Sequence, residues 1–424
     1  MLKFYDEKDH GNLFGNPEIT PYYAPEDYYK FNFVFDPNIH SYEIAYDNFY
    51  DEIYLTYENM HNVHVTVDGN VIPQGTYKDR PEFSILLNNG ETIVTVTSNN
   101  KTYTFAIKTE KYNYLHNPHP RLMGTFIQPW PESGFSQYTQ AEWDTHLDML
   151  LRAGIDTVIV QWMGRTDGNG TLVHDYSPMI GKLLASAQKR CMKVFIGSVI
   201  EEESWWNQRF FDKQWRETQN KIGNEMLHRI YHKYKVKYPI TFVGWYWAWE
   251  MYSQRDPRCN PAWADMFSSN TRCLDEFDEY KMPMLISPFH SCPLARTPIE
   301  VKAQWEEFFR IAHWRNGDIF CAQDSVGAGG GRASLPKANA LAKAMKIATD
   351  NAPVKLDYWV NVENFTESED GAEFSIEPAA VDRLVKQLDI AGRYTNNIIT
   401  YSYSHFYDNN AFDAEYLKYI TNKI

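Results

Sequence analysis

Residues 242–250 read FVGWYWAWE and residues 355–365 read KLDYWVNVENF. Each is an apolar, aromatic run that arrives at a glutamate, Glu250 in the first and Glu363 in the second. Continuous apolar runs of this kind fit parallel strands buried on both faces. A carboxylate at the C-terminal end of such a strand sits where barrel folds keep their chemistry.

From this pair outward, strand-like runs alternate with amphipathic helical segments, the signal of βα units. Strand 1 is expected at 124–128 (GTFIQ), strand 2 at 157–162 (TVIVQW), strand 3 at 194–198 (VFIGS) and strand 4 at 242–250. Strand 5 follows at 284–287 (MLIS), strand 6 at 319–323 (IFCAQ), strand 7 at 356–363 and strand 8 at 398–402 (IITYS). Thr139 to Glu142 and Thr297 to Glu300 fit the capping box T-x-x-E. Pro298 and Pro378 suit first helical turns, and Gly154 a helix stop. Eight such units predict an α/β chain with a (β/α)8 TIM barrel over residues 120–424. The long segments at 164–177, 199–207 and 364–377 would lie on its catalytic face.

Upstream the periodicity is different. Runs at 29–35 (YKFNFVF), 52–57 (EIYLTY), 64–67 (HVTV), 92–97 (TIVTVT) and 101–107 (KTYTFAI) alternate polar and apolar residues between Asn- and Gly-rich turns. This predicts an all-β sandwich over residues 1–115, with polar residues 1–20 poorly ordered or strapped to the surface. The Pro-punctuated stretch His116-Asn117-Pro118-His119-Pro120 is the expected boundary. Residues 86–108, LLNNGETIVTVTSNNKTYTFAIK, resemble the closing hairpin of bacterial cadherin-like, immunoglobulin-like modules. The resemblance implies an accessory domain without catalytic residues.

Composition narrows the function classes. The net charge of −14 argues against a nucleic-acid partner. The 13 Trp, 29 Tyr and 24 Phe make 16% of the chain; core filling accounts for most, and the rest could stack on pyranose rings. Five cysteines without metal-ligand spacing argue against a disulfide framework or a structural zinc, although Cys259, Cys273 and Cys292 could hold one bridge. No apolar run is long enough to span a membrane. The start, MLKFYDEKDHGN, has no signal core, so the chain is either intracellular or read without its leader. A polymeric substrate favours the second, a secreted or cell-surface protein. Sequence leaves the oligomeric state open, with a monomer favoured.

In a barrel the strand ends form one ring: Gln128, Gln161, Trp162, Glu250, Gln323, Asp324, Glu363 and, beyond strand 8, His405. Trp162, Trp205 and Trp249 are candidate sugar platforms, and Glu201 to Glu203 follow strand 3 as a charge run. Two carboxylates in an aromatic mouth suit hydrolysis of a glycosidic bond, one protonated and one ionised. No cofactor is implied: HExxH, GxSxG and EF-hand motifs are missing from the sequence. GAGGGR at 327–332 lacks the Lys-Ser/Thr ending of a phosphate loop and is expected to be a flexible loop.

GTFIQPW at 124–130, AGIDTVIVQW at 153–162 and GWYWAWE at 244–250 resemble the glycoside hydrolase superfamily of TIM barrels, in particular an uncharacterised barrel family within it. In its retaining clan an acid/base glutamate ends strand 4 and a nucleophilic glutamate ends strand 7, which implies Glu250 and Glu363 for those roles. The clan's Asn before the acid/base is Trp249 here, and its Tyr near strand 6 is replaced by Gln323-Asp324. Asp324 therefore competes, as the general base of an inverting reaction. The other alternative is a carbohydrate-binding barrel without turnover.

Overall fold

The computed structural model describes residues 2–5, 34–46, 49–77, 80–290, 297–328, 333–367, 376–408 and 410–422. Two compact units emerge: Met1–Tyr114 with Thr297–Ile299, and Leu115–Arg296 with Glu300–Ile424.

The first unit is built on two sheets. One orders Leu2–Tyr5, Glu52–Tyr57, Arg80–Leu86 and Gly75–Tyr77, all antiparallel. The other orders Ser41–Tyr46, Lys101–Thr109, Glu91–Ser98, His64–Val67 and Asn70–Val71, with Ser41–Tyr46 running parallel to Lys101–Thr109. Alternation does the work: every second residue of Glu91–Ser98 is buried, and Ile53, Leu55, Phe83 and Ile85 of one sheet share a core with Val65, Val94, Val96 and Phe105 of the other. Asn99 and Asn100 turn the closing hairpin with φ of 47° and 67°, the left-handed geometry of a tight two-residue turn. The expectation for the amino terminus needs correction, because Leu2 and Phe4 alternate into this core. The strand expected at 29–35 lies mostly outside the described residues, and Val34 and Phe35 are not in a strand.

The second unit contains a closed barrel of eight parallel strands: Gly124–Ile127, Thr157–Val160, Lys193–Gly197, Phe242–Tyr246, Met284–Ile286, Ile319–Gln323, Asp357–Glu363 and Ile398–Tyr401. They neighbour one another in sequence order, and the eighth closes on the first. Helices intervene, and the one at Gln140–Arg152 carries the expected reciprocal capping box of Thr139 and Glu142. Gly154, at φ 77°, follows its end. Pro378 closes the short strand Ile376–Pro378 instead of opening a helix, which begins at Val381. Strand 4 is five residues long, not nine, so Glu250 stands four residues past its last strand residue. Cys273 and Cys321 are free thiols, and Cys292 lies outside the described residues.

Candidate active site

The C-terminal ends of the barrel strands surround a cleft of about 310 Å³. Period-2 alternation decides which side chains reach it. Past Tyr246 the chain stays extended enough for Trp247 N to donate to Leu285 O at 2.9 Å. Tyr246, Ala248 and Glu250 face the cleft, whereas Trp245, Trp247 and Trp249 turn outward. Trp247 donates its indole N–H to Asn270 Oδ1 (2.9 Å) on helix Cys259–Phe277. Trp249 is 4% exposed and wedged between Trp205 and Trp215, with centroids at 5.3 and 5.5 Å. It is not a sugar platform: its phase places it behind the cleft wall. On strand 7 the same alternation brings Asn361 and Glu363 inward, and Phe365 just beyond it also lines the cleft.

Gln128, Gln161, Trp162, Trp205, Gln323, Glu250 and Glu363 all line the cleft. Trp205 is held by an indole N–H donated to Glu250 O at 2.8 Å and is 1% exposed, so it braces the Glu250 backbone rather than offering an open ring face. His405 and Asp324 are not among the lining residues. His405 accepts from Gln128 N at 3.2 Å through Nε2, with Phe135 edge-on to its ring. Burial depresses its pKa to about 4, with His146 adding a small push in the same direction, so it stays neutral and fixes the Gln128 backbone.

Asp324 points to the rear of strand 6. Its Oδ1 accepts from Glu363 N (3.2 Å) and Val326 N (3.2 Å), and its Oδ2 from Gln387 Nε2 (2.6 Å). Arg383, on the same helix as Gln387, donates to the carbonyls of Glu363 (2.9 Å) and Phe365. Asp324 thus anchors the strand end that carries Glu363 and does not itself line the cleft.

The two cleft glutamates sit in different surroundings. Glu250 Oε1 accepts from Gln323 Nε2 at 2.7 Å, and the same amide nitrogen donates to Ser287 O. Burial raises the Glu250 pKa to about 7 against the pull of Gln323, with Glu202 and Glu367 adding negative potential. Glu363 is 1% exposed. Its Oε2 accepts from two backbone amides, Gly327 N (2.6 Å) and Ala328 N (2.9 Å). Burial and then the neighbouring Asp324 charge push its pKa up, while the two amides and Arg383 pull it down. Asp324 and Glu363 titrate as a pair. The opening of the GAGGGR run is therefore a carboxylate cradle; residues 329–332 lie outside the described residues. A side chain at Gly327 would place Cβ 2.3 Å from Phe365 O, so only glycine lets this amide approach.

Several lining residues carry no sequence signal of their own. The Tyr246 and Tyr401 phenols are held well above their ordinary range, first by burial and then by Glu250 nearby, so both remain hydrogen-bond donors. Asn361 donates to Ser287 Oγ at 3.2 Å and leaves a buried Oδ1 unpartnered. The run Glu201 to Glu203 divides: Glu201 caps helix Glu202–Trp206 through Ser204 N, Glu202 lines the cleft 3.8 Å from Arg165, and Glu203 is exposed. Among the described residues no cluster of three His, Cys, Asp or Glu could hold a metal ion, and no helix is long and apolar enough to cross a membrane.

Residues 122–412 match the family described as "Domain of unknown function (DUF4434)". The chain belongs to this family. Among solved structures, it is similar to a putative alpha-L-fucosidase from Bacteroides thetaiotaomicron, with TM-score 0.55 and 21% identity over 74% of this chain and 99% of that one. That likeness supports the barrel fold. Two further similar structures are a GH2 beta-galacturonidase from Eisenbergiella tayi (TM-score 0.42, 8% identity, 88% and 68% covered) and the intracellular xylanase TsXylA from Thermoanaerobacterium saccharolyticum (TM-score 0.41, 10%, 67% and 86%). No curated protein matches the chain.

Proposed function

We propose that this member of the DUF4434 family is a glycoside hydrolase that cleaves a poly- or oligosaccharide with retention of configuration. One observation carries the reading: two glutamates, both with pKa values raised by burial, line one aromatic cleft at the C-terminal ends of the barrel strands.

Glu250 is the acid/base. A carboxyl with a pKa near 7 keeps a large protonated fraction, about half, at neutral pH and can give its proton to the departing glycosidic oxygen. Glu363 is the nucleophile. Two backbone N–H donors hold one of its oxygens and, with Arg383, oppose the burial and the Asp324 charge that raise its pKa, leaving Oε1 to attack the anomeric carbon once ionised. Deprotonated Glu250 then activates the water that releases the glycosyl-enzyme. Tyr246, Tyr401 and Asn361 offer hydrogen bonds to sugar hydroxyls. A polymeric substrate also leads us to propose action outside the cell, which fractionation of the source organism would test.

The test is release of reducing sugar from plant, algal, fungal and microbial polysaccharides by wild type, E250Q, E363Q and D324N. Wild-type turnover lost in E250Q and E363Q supports the reading. Glycan binding with no turnover in any protein would replace it with a binding role.

A further inference from the structure

Trp206 is the outlier among the tryptophans. Of the 13, eleven are buried, Trp130 is half-buried, and Trp206 is 47% exposed. Its backbone is nevertheless fixed. It ends the short helix Glu202–Trp206, and the preceding Trp205 is locked by its indole bond to Glu250 O.

The open ring has partners. Tyr252 stacks beside it at 6.0 Å and 26°, Phe289 lies at 6.1 Å, and Tyr252 and Phe289 are 5.4 Å apart. Tyr252–Ser253 and Phe289–His290 pair as a two-stranded ribbon, and Ser253 Oγ bonds His290 Nδ1. Three aromatic rings on a braced scaffold thus form a patch, of which Trp206 and Phe289 line the cleft. An open aromatic surface of this kind marks a binding groove, and its ring faces suit the C–H face of a pyranose.

Position gives the patch a role. Trp206 follows strand 3 and Phe289 follows strand 5, so they flank strand 4 and Glu250, while Glu363 ends strand 7. The acid stands beside the oxygen of the departing sugar. Charge narrows the ligand further. None of the described lining residues is Lys, Arg or His, whereas Glu202, Glu250, Glu363 and Glu367 all line the cleft. Arg165 is held close to Glu202 and over the Trp130 ring, 4.5 Å from its centroid. Among the described residues, a sugar carboxylate or sulfate would meet like charge and no lining cation. The unpartnered Oδ1 of Asn361, 1% exposed, and Oε1 of Gln161 are acceptors that need hydroxyl donors.

We propose that Trp206, with Phe289 and Tyr252, forms a subsite for the sugar on the leaving-group side of the scissile bond, and that the substrate is a chain of uncharged sugars. This rests on the glycoside hydrolase reading above.

Titration calorimetry on the E250Q protein tests it with cello-, xylo-, manno- and laminari-hexaose, hexagalacturonate, and the matching monosaccharides. At least one neutral hexamer is expected to bind, hexagalacturonate is not, and W206A in the E250Q background weakens the hexamer about tenfold, about 1.4 kcal/mol. The monosaccharide is unaffected, and W206F retains most of the affinity. Hexamer affinity unchanged in W206A, or tighter binding of hexagalacturonate than of every neutral hexamer, would overturn the proposal. Wild-type turnover is read separately. Cleavage without any Trp206 effect sinks the subsite alone; Trp206-dependent binding without cleavage supports the subsite and sinks hydrolysis; neither binding nor cleavage sinks both.

Discussion

The ends of strands 4 and 7 hold the same functional group in opposite ways. Glu250 stands four residues beyond its strand, partly open to the cleft, steadied by one side-chain amide from Gln323. Glu363 is the last residue of its strand, buried, gripped by two backbone amides and backed by a second carboxylate. Burial raises both carboxyls; the one steadied by a single side-chain amide suits a proton donor, and the one fixed through an oxygen by two backbone N–H groups suits an aimed nucleophile. Environment, not residue type, separates the two roles.

The comparison breaks most directly at Glu363. E363Q removes the nucleophile, and kcat should fall by about four orders of magnitude on any substrate. A comparable loss in D324N would move the essential carboxylate to the rear of the strand instead.

E250Q should cost about 10²- to 10⁴-fold on natural glycosides but far less on aryl glycosides whose leaving group needs no proton. Equal losses on both classes of substrate would remove the acid role from Glu250.

A smaller effect sharpens the coupling behind Glu363. Activity requires one carboxyl ionised and the other protonated, and burial raises both Glu363 and Glu250, so kcat/KM should be bell-shaped in pH with its limbs above the ordinary carboxylate range. Asp324 raises the Glu363 pKa, so D324N should move the acid limb to lower pH and leave the alkaline limb in place. An acid limb that stays put would show that the Asp324 charge does not reach Glu363.

The smallest effect is on stability. The folded pKa of Glu250 is about 7 against an ordinary 4.5. As pH rises from 4.5 to 7 the unfolded chain releases this proton before the folded one does, and the fold loses stability. E250Q escapes that loss and should be about 1–3 kcal/mol more stable than wild type at pH 8, with no gain at pH 4. Thermal melts at the two pH values read the difference, and a gain at pH 4 would point to packing rather than ionisation.

The barrel is legible because eight apolar runs alternate with helical periodicity; the place of Glu363 at a strand end follows from it, whereas strand 4 stops short of Glu250. Facing was harder to read. Trp249 looks like a site tryptophan in the sequence, yet one residue of phase packs it between Trp205 and Trp215, while Trp206, in the segment after strand 3, takes the open position. His405 and Asp324 adjoin the ring but turn to backbone amides, a choice made by three-dimensional partners such as Gln128 and Gln387. Tyr246 and Tyr401 carry no signal of their own among 29 tyrosines because nothing local distinguishes a cleft phenol from a core one. The glycines after strand 6 read as a loose loop, since their use depends on Glu363 arriving from 36 residues away.

The most direct test of the central claim is to trap the glycosyl-enzyme. A 2-deoxy-2-fluoro glycoside with a good leaving group, built on whichever sugar the polysaccharide panel identifies, would be incubated with the protein and the labelled peptide sequenced by mass spectrometry. The account predicts one adduct, on Glu363. An adduct on Glu250 or Asp324, or steady turnover with inversion of configuration and no adduct, would contradict it.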